Sequence, residues 1–260
     1  MRFGIIGVGT IGEIFAERLG KGGHEVIAYD VRPETLDEVV KRYSAQKAAS
    51  NADVIAASEV VLVAVKPQSF SSVVKEIEGA RLENRIFVSV LAGVPTRRYE
   101  DVFPGIKVIR IMPNLPIKIG KGVIGMARGK NVSGEEEEKV AELLKPLGAV
   151  ERVPEEKMDA VTALSGSGAG YVFAFIEALA DAGVRLGLDY SQSLRMVART
   201  MAGSAEMVEA MGKHPAELRN RVTSPGGTTI EGLSVMEKGG VRGIMMDAVA
   251  AAYRRAKELA

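Results

Sequence analysis

Apolar and polar positions follow two different patterns along the chain, and the change falls near residue 155. Up to Pro154, short apolar runs alternate with segments whose apolar residues recur at helical spacing. After Pro154 the apolar runs end, and Ala, Leu and Met recur at helical spacing. This order predicts an α/β domain with a doubly wound parallel sheet in residues 1–154 and an all-helical domain in residues 155–260.

The first pattern predicts alternating strands and helices. Strands are expected at Phe3–Gly7, Glu25–Tyr29, Val60–Val65, Ile86–Val90, Lys107–Ile111, Val123–Ala127 and Ala149–Arg152. Helices are expected at Thr10–Lys21, Pro33–Tyr43, Gln68–Ile77 and from the Ser133 cap, with Glu136 in the capping-box position, to Leu144. The second pattern predicts helices at Lys157–Leu164, Gly168–Leu186, Ser191–Met211, Pro215–Arg221, Thr228–Lys238 and Val241–Glu258.

The first strand runs directly into Gly7-x-Gly9-x-x-Gly12 and then into a helix, which is the sequence context of a dinucleotide-binding loop. Gly7 permits the tight turn, Gly9 lets the backbone approach a pyrophosphate, and Gly12 lets the helix pack close to the strand. Thr10 and Ile11 begin the helix, whose free N–H groups favour phosphates. These five residues are therefore predicted to bind the cofactor.

Composition excludes several other classes. The chain is 47% hydrophobic and 26% charged with a net charge of +1, so it carries no electrostatic signature of nucleic-acid or membrane-surface binding. It contains no Cys, and its two histidines, His24 and His214, are far apart, so no metal site is predicted. No signal peptide and no apolar stretch of transmembrane length is recognised, so we expect a cytoplasmic protein.

The helices of the second part carry apolar residues on much of their circumference, as in residues 174–180. A helical unit of this size has limited interior in which to bury them. Packing on the first domain is one explanation. A symmetric homodimer is favoured, because exposed apolar area of this extent usually marks an interface.

Three further segments carry candidate chemistry. Lys66 follows a predicted core strand, at the edge where doubly wound sheets bind ligands, although such a lysine can simply face solvent. Asn114, between two prolines, can bond a carboxamide or ribose or can belong to a rigid turn. Ser224-Pro-Gly-Gly-Thr-Thr229 precedes a helix, and its converging N–H groups predict a carboxylate cradle rather than an ordinary helix cap.

Together these motifs resemble those of the pyrroline-5-carboxylate reductases. The matching segments, in the family's order, are the glycine loop, Ala64-Val-Lys-Pro67, Ala92-Gly93-Val94, Met112-Pro-Asn114, Ala163-Leu-Ser-Gly-Ser-Gly168 and Ser224-Pro-Gly-Gly-Thr-Thr229. Two positions depart from the family pattern: Leu115 stands where Thr is usual, and Ala169-Gly170 stand where Pro-Ala is usual. These departures bear on the fit of the substrate.

The resemblance implies reduction of a cyclic imine by NAD(P)H and an interlocked dimer whose site is shared between subunits. Thr229 would be the catalytic hydroxyl at the ring nitrogen, and Asn51 would contact the adenosine side of the cofactor. The substrate carboxylate would be bound by Ser224, Pro225, Gly226, Gly227, Thr228 and Thr229. The nicotinamide half would be lined by Val65, Lys66, Pro67, Ala92 and Gly93.

The residues themselves also favour imine reduction. An alcohol dehydrogenase needs a positioned base, and the chain has no lysine between Met158 and Gly212, where related hydroxyacid dehydrogenases carry theirs. A β-hydroxyacid dehydrogenase and a non-catalytic dinucleotide sensor are the alternatives. Asp30, at the end of the second strand, favours NAD(H), whereas Arg32 could pair with the 2′-phosphate of NADP(H), so the expectation leans slightly to NAD(H).

Overall fold

The computed structural model describes residues 1–258, which form two compact units. Within the described residues, the first unit comprises Met1–Ser167 together with residues 252–258, and the second comprises Gly168–Ala251. The contacts thus divide the chain after Ser167, whereas the sequence pattern changes at Pro154. The segment between these two positions is the short helical stretch that follows the last strand.

An eight-stranded sheet forms the first unit, in the order β3-β2-β1-β4-β5-β6-β7-β8. The strands are β1 Arg2–Ile6, β2 Glu25–Tyr29, β3 Gln46–Lys47, β4 Val60–Val63, β5 Ile86–Ser89, β6 Lys107–Pro113, β7 Gly122–Arg128 and β8 Gly148–Arg152. The predicted doubly wound parallel sheet is observed, with one local exception: β6 and β7 pair antiparallel. Only residues 114–121 connect them, which is too short for the crossover that a parallel pair requires.

The helices of the first unit cover both faces of this sheet. They are α1 Thr10–Lys21, α2 Pro33–Tyr43, α3 Asn51–Ala57, α4 Phe70–Glu76, α5 Thr96–Glu100, α6 Gly134–Leu144 and α7 Met158–Val161. Short 3₁₀ turns lie at Pro67–Ser69, Leu115–Ile119, Lys145–Leu147 and Glu155–Lys157. The predicted capping box of α6, between Ser133 and Glu136, is present.

The core consists of two apolar layers, one on each face of the sheet. All four residues of β4 are buried, and so are all four of β5, because helices cover both of their faces. Ile5 and Leu62 point into one layer, and Ile6 and Val63 point into the other. This packing holds the central strands in place, and it therefore also fixes the positions at which the loops leave their carboxyl ends.

Three short elements of the first unit were not predicted: β3, α3 and α5. Strand β3 has two residues, both exposed, and therefore no apolar pattern. Helix α3 has a recognisable signal, since Ser50 caps it by accepting a hydrogen bond from the Asp53 N–H at 3.1 Å. Predicted strands at 60–65 and 86–90 end earlier, and the predicted helix at 68–77 begins as a 3₁₀ turn.

The second unit consists of α8 Gly168–Arg185, α9 Tyr190–Met211, α10 Pro215–Arg221, α11 Thr228–Lys238 and α12, which runs Val241–Glu258 and so continues into the first unit. These bounds match the predicted helices to within one residue. Helices α8 and α9 pack closely at Gly183, where a Cβ would lie 2.4 Å from the Ser193 Oγ. Large apolar side chains remain exposed, among them Phe173 at 53%, Leu186 at 83% and Met246 at 73%.

The predicted break between residues 164 and 168 is absent. Thr162–Gly166 form a π-helical turn, closed by a hydrogen bond from the Ser167 N–H to the Thr162 carbonyl oxygen at 2.8 Å, which connects α7 to α8. Consequently one continuous helical stretch, Glu155–Arg185, is long and apolar enough by length and composition to cross a membrane. The expectation that no apolar stretch reaches this length was therefore wrong. Ala169 and Gly170 lie inside this stretch, not at a free helix start.

Candidate active site

The glycine loop connects β1 to α1 and has the geometry that a bound pyrophosphate needs. Gly7 has φ +90°, which only glycine adopts without strain, and its N–H donates to the Tyr29 carbonyl oxygen at 2.8 Å. A Cβ on Gly12 would lie 2.0 Å from the Gly7 carbonyl oxygen, so α1 packs on the loop as closely as a glycine allows. Above Gly9, a Cβ would meet no atom of the described residues within 4 Å. The backbone there is open to a ligand.

Helix α1 presents its amino end to the same opening. Gly9 is its N-cap, and no side chain within residues 1–258 caps it. The N–H groups of the first turn, beginning with Thr10 and Ile11, therefore lack helical partners. Together with the helix dipole, they make this end favourable for phosphate.

Asp30 closes the glycine loop from the end of β2. Its Oδ2 accepts the Val8 N–H at 2.9 Å, and its Oδ1 accepts the Arg32 N–H at 2.9 Å. The Arg32 guanidinium adds bonds of 3.1 and 3.3 Å to the two oxygens. Burial raises the pKa of Asp30, but these bonds outweigh it and hold that pKa below its ordinary value. Sequence reasoning missed Val8, because its role lies in its backbone and not in its side chain.

Asn51 is the first residue of α3, the helix that follows β3 and packs against β1 and β2. It is 3% exposed, and its Nδ2 donates to the Glu76 carboxylate. Its Oδ1 is buried without a hydrogen-bond partner among the described residues. A buried, unpaired amide oxygen is costly unless a ligand completes it, so this atom fits a hydroxyl or amino donor from a bound nucleoside.

The segment Ala64–Pro67 follows β4 and lies directly against the glycine loop. A Cβ on Gly7 would lie 2.8 Å from the Val65 Cγ1. Lys66 is exposed and precedes the 3₁₀ turn that Pro67 begins. The structure therefore brings Val65 to the dinucleotide loop and leaves the Lys66 ammonium in solvent at the same edge of the sheet.

The next strand, β5, ends in a tight turn at Leu91–Val94. The Val94 N–H donates to the Leu91 carbonyl oxygen at 3.3 Å, and Gly93 has φ +71°. A positive φ at the third position is typical of a type II turn, which explains the glycine. Ala92 packs against the cluster of Met112, Ala127 and Met158. Because β5 neighbours β4, this turn lies at the same edge as Lys66.

Asn114 lies further along this edge, directly after β6. Its Oδ1 accepts the Val123 N–H at 2.9 Å, and its own N–H donates to the Val123 carbonyl oxygen at 3.2 Å. The side-chain oxygen therefore fixes the β6–β7 connection. Its Nδ2 is the atom that a ligand could use. The neighbouring Leu115 is 43% exposed.

The segment Ser224–Thr229 belongs to the second unit, between α10 and α11. The Gly227 N–H donates to the Ser224 carbonyl oxygen at 3.1 Å, and Gly226 has φ +66°, as expected for a type II turn with proline second and glycine third. A Cβ on Gly227 would lie 2.4 Å from the Ser224 Oγ and 3.2 Å from the Ser224 carbonyl oxygen, so the second glycine gives the Ser224 side chain its room. Thr228 and Thr229 begin α11, which no side chain within residues 1–258 caps.

Both histidines have structural surroundings. The His24 ring packs edge-on against Phe3 with centroids 5.1 Å apart. His214 caps α10, and its Nδ1 accepts the Ala216 N–H at 3.2 Å. Neither has the surroundings of a general base.

These features define the class of the protein. A glycine loop, a helix amino end open to phosphate, an acidic residue after β2 and an unpaired buried amide oxygen fit a dinucleotide, and they lie on a doubly wound sheet. The chain is a Rossmann-type, NAD(P)-dependent oxidoreductase.

Comparison with known proteins gives the family. Residues 155–259 match the family model described as pyrroline-5-carboxylate reductase dimerisation, and residues 2–93 match that described as NADP oxidoreductase, coenzyme F420-dependent. The pyrroline-5-carboxylate reductase of Methanosarcina acetivorans is 37% identical over 99% of this chain and 97% of its own. That of Synechocystis is 39% identical over 100% of this chain and 98% of its own.

Solved structures agree. The Streptococcus pyogenes pyrroline-5-carboxylate reductase superimposes with a TM-score of 0.92 at 30% identity, covering 99% of this chain and 98% of its own. The Plasmodium falciparum pyrroline carboxylate reductase, solved with NADP bound, superimposes with a TM-score of 0.91 at 29% identity, covering 100% of this chain and 98% of its own. The chain belongs to the pyrroline-5-carboxylate reductase family.

The predicted family, fold class and enzyme class are thereby confirmed: this is an imine-reducing oxidoreductase of proline biosynthesis. The dehydrogenase and sensor alternatives give way to it. The dimerisation model covers the whole of the apolar stretch Glu155–Arg185, and its match indicates a homo-oligomer.

Proposed function

We propose that this chain reduces 1-pyrroline-5-carboxylate to L-proline, with the dinucleotide bound by the first unit and the substrate carboxylate bound by Ser224–Thr229. The observation that carries the proposal is the type II turn ahead of α11. It leaves the N–H groups of Thr228 and Thr229 without helical partners at the positive end of a helix dipole. A small carboxylate is the ligand that such a turn suits.

Thr229 is the proposed catalytic residue. Its hydroxyl donates a hydrogen bond to the ring nitrogen of the imine, which keeps the nitrogen polarised and the adjacent carbon electrophilic. When bound, the reduced nicotinamide supplies the hydride. No strong base is needed, because the ring nitrogen takes up one proton from solvent as the carbon receives the hydride, and no hydroxyl loses a proton. The carboxylate cradle contributes by orienting the ring.

The cofactor contacts are proposed in two groups. The glycine loop and the start of α1 bind the pyrophosphate through Gly7, Gly9, Thr10, Ile11 and Gly12, and Asn51 contacts the adenosine side. The nicotinamide side is lined by Val65, Lys66, Pro67, Ala92, Gly93 and the Nδ2 of Asn114. Their arrangement along one edge of the sheet, at the carboxyl ends of β1, β4, β5 and β6, supports this division.

We infer a slight preference for NAD(H) from the Asp30–Arg32 pair. Each of the two Asp30 carboxylate oxygens accepts two hydrogen bonds. A ribose 2′-hydroxyl would therefore bind Asp30 by displacing the Arg32 side chain, which is 58% exposed. The 2′-phosphate of NADP(H) would instead form an ion pair with Arg32, but it would also come close to the Asp30 carboxylate, which carries the same sign of charge. Asp30→Asn keeps an acceptor for Val8 and removes the charge, so we expect the NADPH/NADH activity ratio to rise. An unchanged ratio contradicts the preference.

The assembly follows from the helical part of the chain. We propose a homodimer formed by residues 155–260, with residues 1–154 as the dinucleotide-binding domain and a cytoplasmic location. The exposed apolar residues of the second unit and the dimerisation family model support the assembly.

The central experiment compares Thr229→Ala with Thr229→Ser. NAD(P)H oxidation is measured with pyrroline-5-carboxylate and with a panel of keto acids, alongside the dissociation constant of the dinucleotide. We expect the alanine variant to lose turnover while retaining dinucleotide affinity, and the serine variant to retain much of the activity. Equal losses of turnover and dinucleotide affinity would refute the role of Thr229, and oxidation with keto acids alone would refute the substrate.

A further inference from the structure

A buried polar pair lies beneath the Leu91–Val94 turn and belongs to no motif of the sequence. Ser89 is fully buried and Tyr99 is 2% exposed. The Tyr99 hydroxyl donates to the Ser89 Oγ at 2.8 Å. Apolar side chains lie around them, with the Phe70 ring packed edge-on against Tyr99 at 4.8 Å between centroids, and the buried Arg110 is the neighbour of Ser89 on the next strand. Burying a phenol and a serine is costly unless they are hydrogen-bonded, and here the bond between them meets that need.

Ser89 connects this pair to the turn. Its Oγ also accepts the Leu91 N–H at 3.4 Å. The Leu91 side chain is buried in the same layer as Tyr99, and Ala92 packs against the cluster of Met112, Ala127 and Met158. The turn is thus held by the burial of Leu91 and Val94, by the packing of Ala92, by its own backbone hydrogen bond from Val94 to Leu91, and by the bond to Ser89. The bond to Ser89 is a side-chain contact with the backbone at the start of the turn, directly before residues 92 and 93.

Tyr99 determines the orientation of Ser89. A serine hydroxyl can occupy any of three rotamers, and its weak bond to Leu91 selects none of them strongly. The bond from Tyr99 holds the oxygen at the position where it also accepts the Leu91 N–H. Burial raises the pKa of Tyr99 strongly, so its hydroxyl stays a neutral donor at any pH the enzyme meets.

We propose that Tyr99 is a positioning residue for the nicotinamide ring: acting through Ser89, it fixes the Leu91–Gly93 turn whose Ala92 and Gly93 line that ring. The inference rests on the proposed role of Ala92 and Gly93. It predicts that loss of the Tyr99 hydroxyl weakens binding of the nicotinamide half and leaves binding of the adenosine half unchanged.

The test uses two ligands that differ only by the nicotinamide, NADH and ADP-ribose. Calorimetry on the full-length protein measures both dissociation constants for the wild type and for Tyr99→Phe. We expect the phenylalanine variant to bind NADH about three- to tenfold more weakly, the range that one hydrogen bond supplies, and ADP-ribose as tightly as the wild type. Tyr43→Phe is the matched control, since it removes another tyrosine hydroxyl, bonded to Glu13 at 3.0 Å, and we expect neither constant to change.

Two further variants separate the possible failures. Ala92→Val changes the turn directly, and Ser89→Ala/Tyr99→Phe removes the whole pair without leaving a buried phenol unpaired. If Ala92→Val weakens NADH selectively and Tyr99→Phe does not, the positioning role of Tyr99 is refuted. If neither does so, the turn does not line the nicotinamide and the inference fails with it. Wild-type reduction of pyrroline-5-carboxylate is measured separately, so a failure of the proposed function is visible on its own.

Discussion

Two single-methyl substitutions in the glycine loop should separate folding from cofactor binding. In Gly12→Ala, the new Cβ would lie 2.0 Å from the Gly7 carbonyl oxygen and 3.0 Å from its carbon. An ordinary carbon–oxygen contact is about 3.3 Å, so α1 or the loop would have to move by about 1.3 Å. Both groups are backbone, and neither can rotate away. We expect a loss of about 3 kcal/mol, at the upper end of the usual overpacking range.

Gly9→Ala adds the same methyl group where the described residues leave space. Its Cβ meets no atom within 4 Å, and Gly9 has φ −67°, which alanine adopts readily. The folding cost is confined to the weaker helix cap, about 0.5–1 kcal/mol. The methyl would, however, occupy the space through which a pyrophosphate approaches the backbone, so affinity for the dinucleotide should fall sharply.

Thermal unfolding and NADH titration of both variants test this reasoning. For a chain of this size, 3 kcal/mol corresponds to a fall in Tm of about 6–12 °C for Gly12→Ala, whereas Gly9→Ala should lose only a few degrees. A Gly12→Ala protein as stable as the wild type would refute the close packing of α1. A Gly9→Ala protein with wild-type affinity would refute the site.

The remaining predictions concern two charged groups of the first unit. Because the pKa of Asp30 is lowered in the folded state, its contribution to stability is present above the pKa of an unfolded aspartate, about 3.9, and is lost as the pH falls through the folded value. Asp30→Asn should therefore flatten acid unfolding below about pH 4, and an unchanged acid limb would contradict this. Arg110 is 4% exposed and bonds Glu155 at 2.8 Å and Asp159 at 3.2 Å, so Arg110→Met should lower the free energy of unfolding by about 3 kcal/mol in denaturant titrations. A loss below about 1 kcal/mol would mean that the partly exposed carboxylates are solvated without it.

Much of the fold follows from local pattern. The bounds of α1, α2, α10 and α11 agree with the predicted ones. Helices α1 and α2 each bury an apolar face, and α2 and α10 begin at Pro33 and Pro215. Two features could not be found in this way. The exposed strand β3 has no apolar residues, and the π-helical turn at 162–166 keeps a Ser- and Gly-rich segment helical through a backbone hydrogen-bond register that residue preferences do not encode.

The candidate site likewise contains features that the local sequence pattern predicts and features that it does not. Gly7, Gly12 and Gly226 could be predicted because their spacing implies a backbone geometry, which the structure contains. The use of the Asp30 carboxylate to hold the Val8 N–H, and of the Asn114 oxygen to hold β7, depends on side-chain orientation and could not be predicted. The Ser89–Tyr99 bond joins residues ten positions apart with no motif around them, so only the packed structure reveals it.

In the proposed reaction, hydride passes from the nicotinamide to the imine carbon of pyrroline-5-carboxylate. The most direct measurement incubates the protein with pyrroline-5-carboxylate and NADH that carries deuterium at both positions of the nicotinamide C4, and analyses the product by mass spectrometry and NMR. We expect proline with deuterium at C5 alone. Proline without deuterium, or consumption of NADH without any proline, would contradict the account.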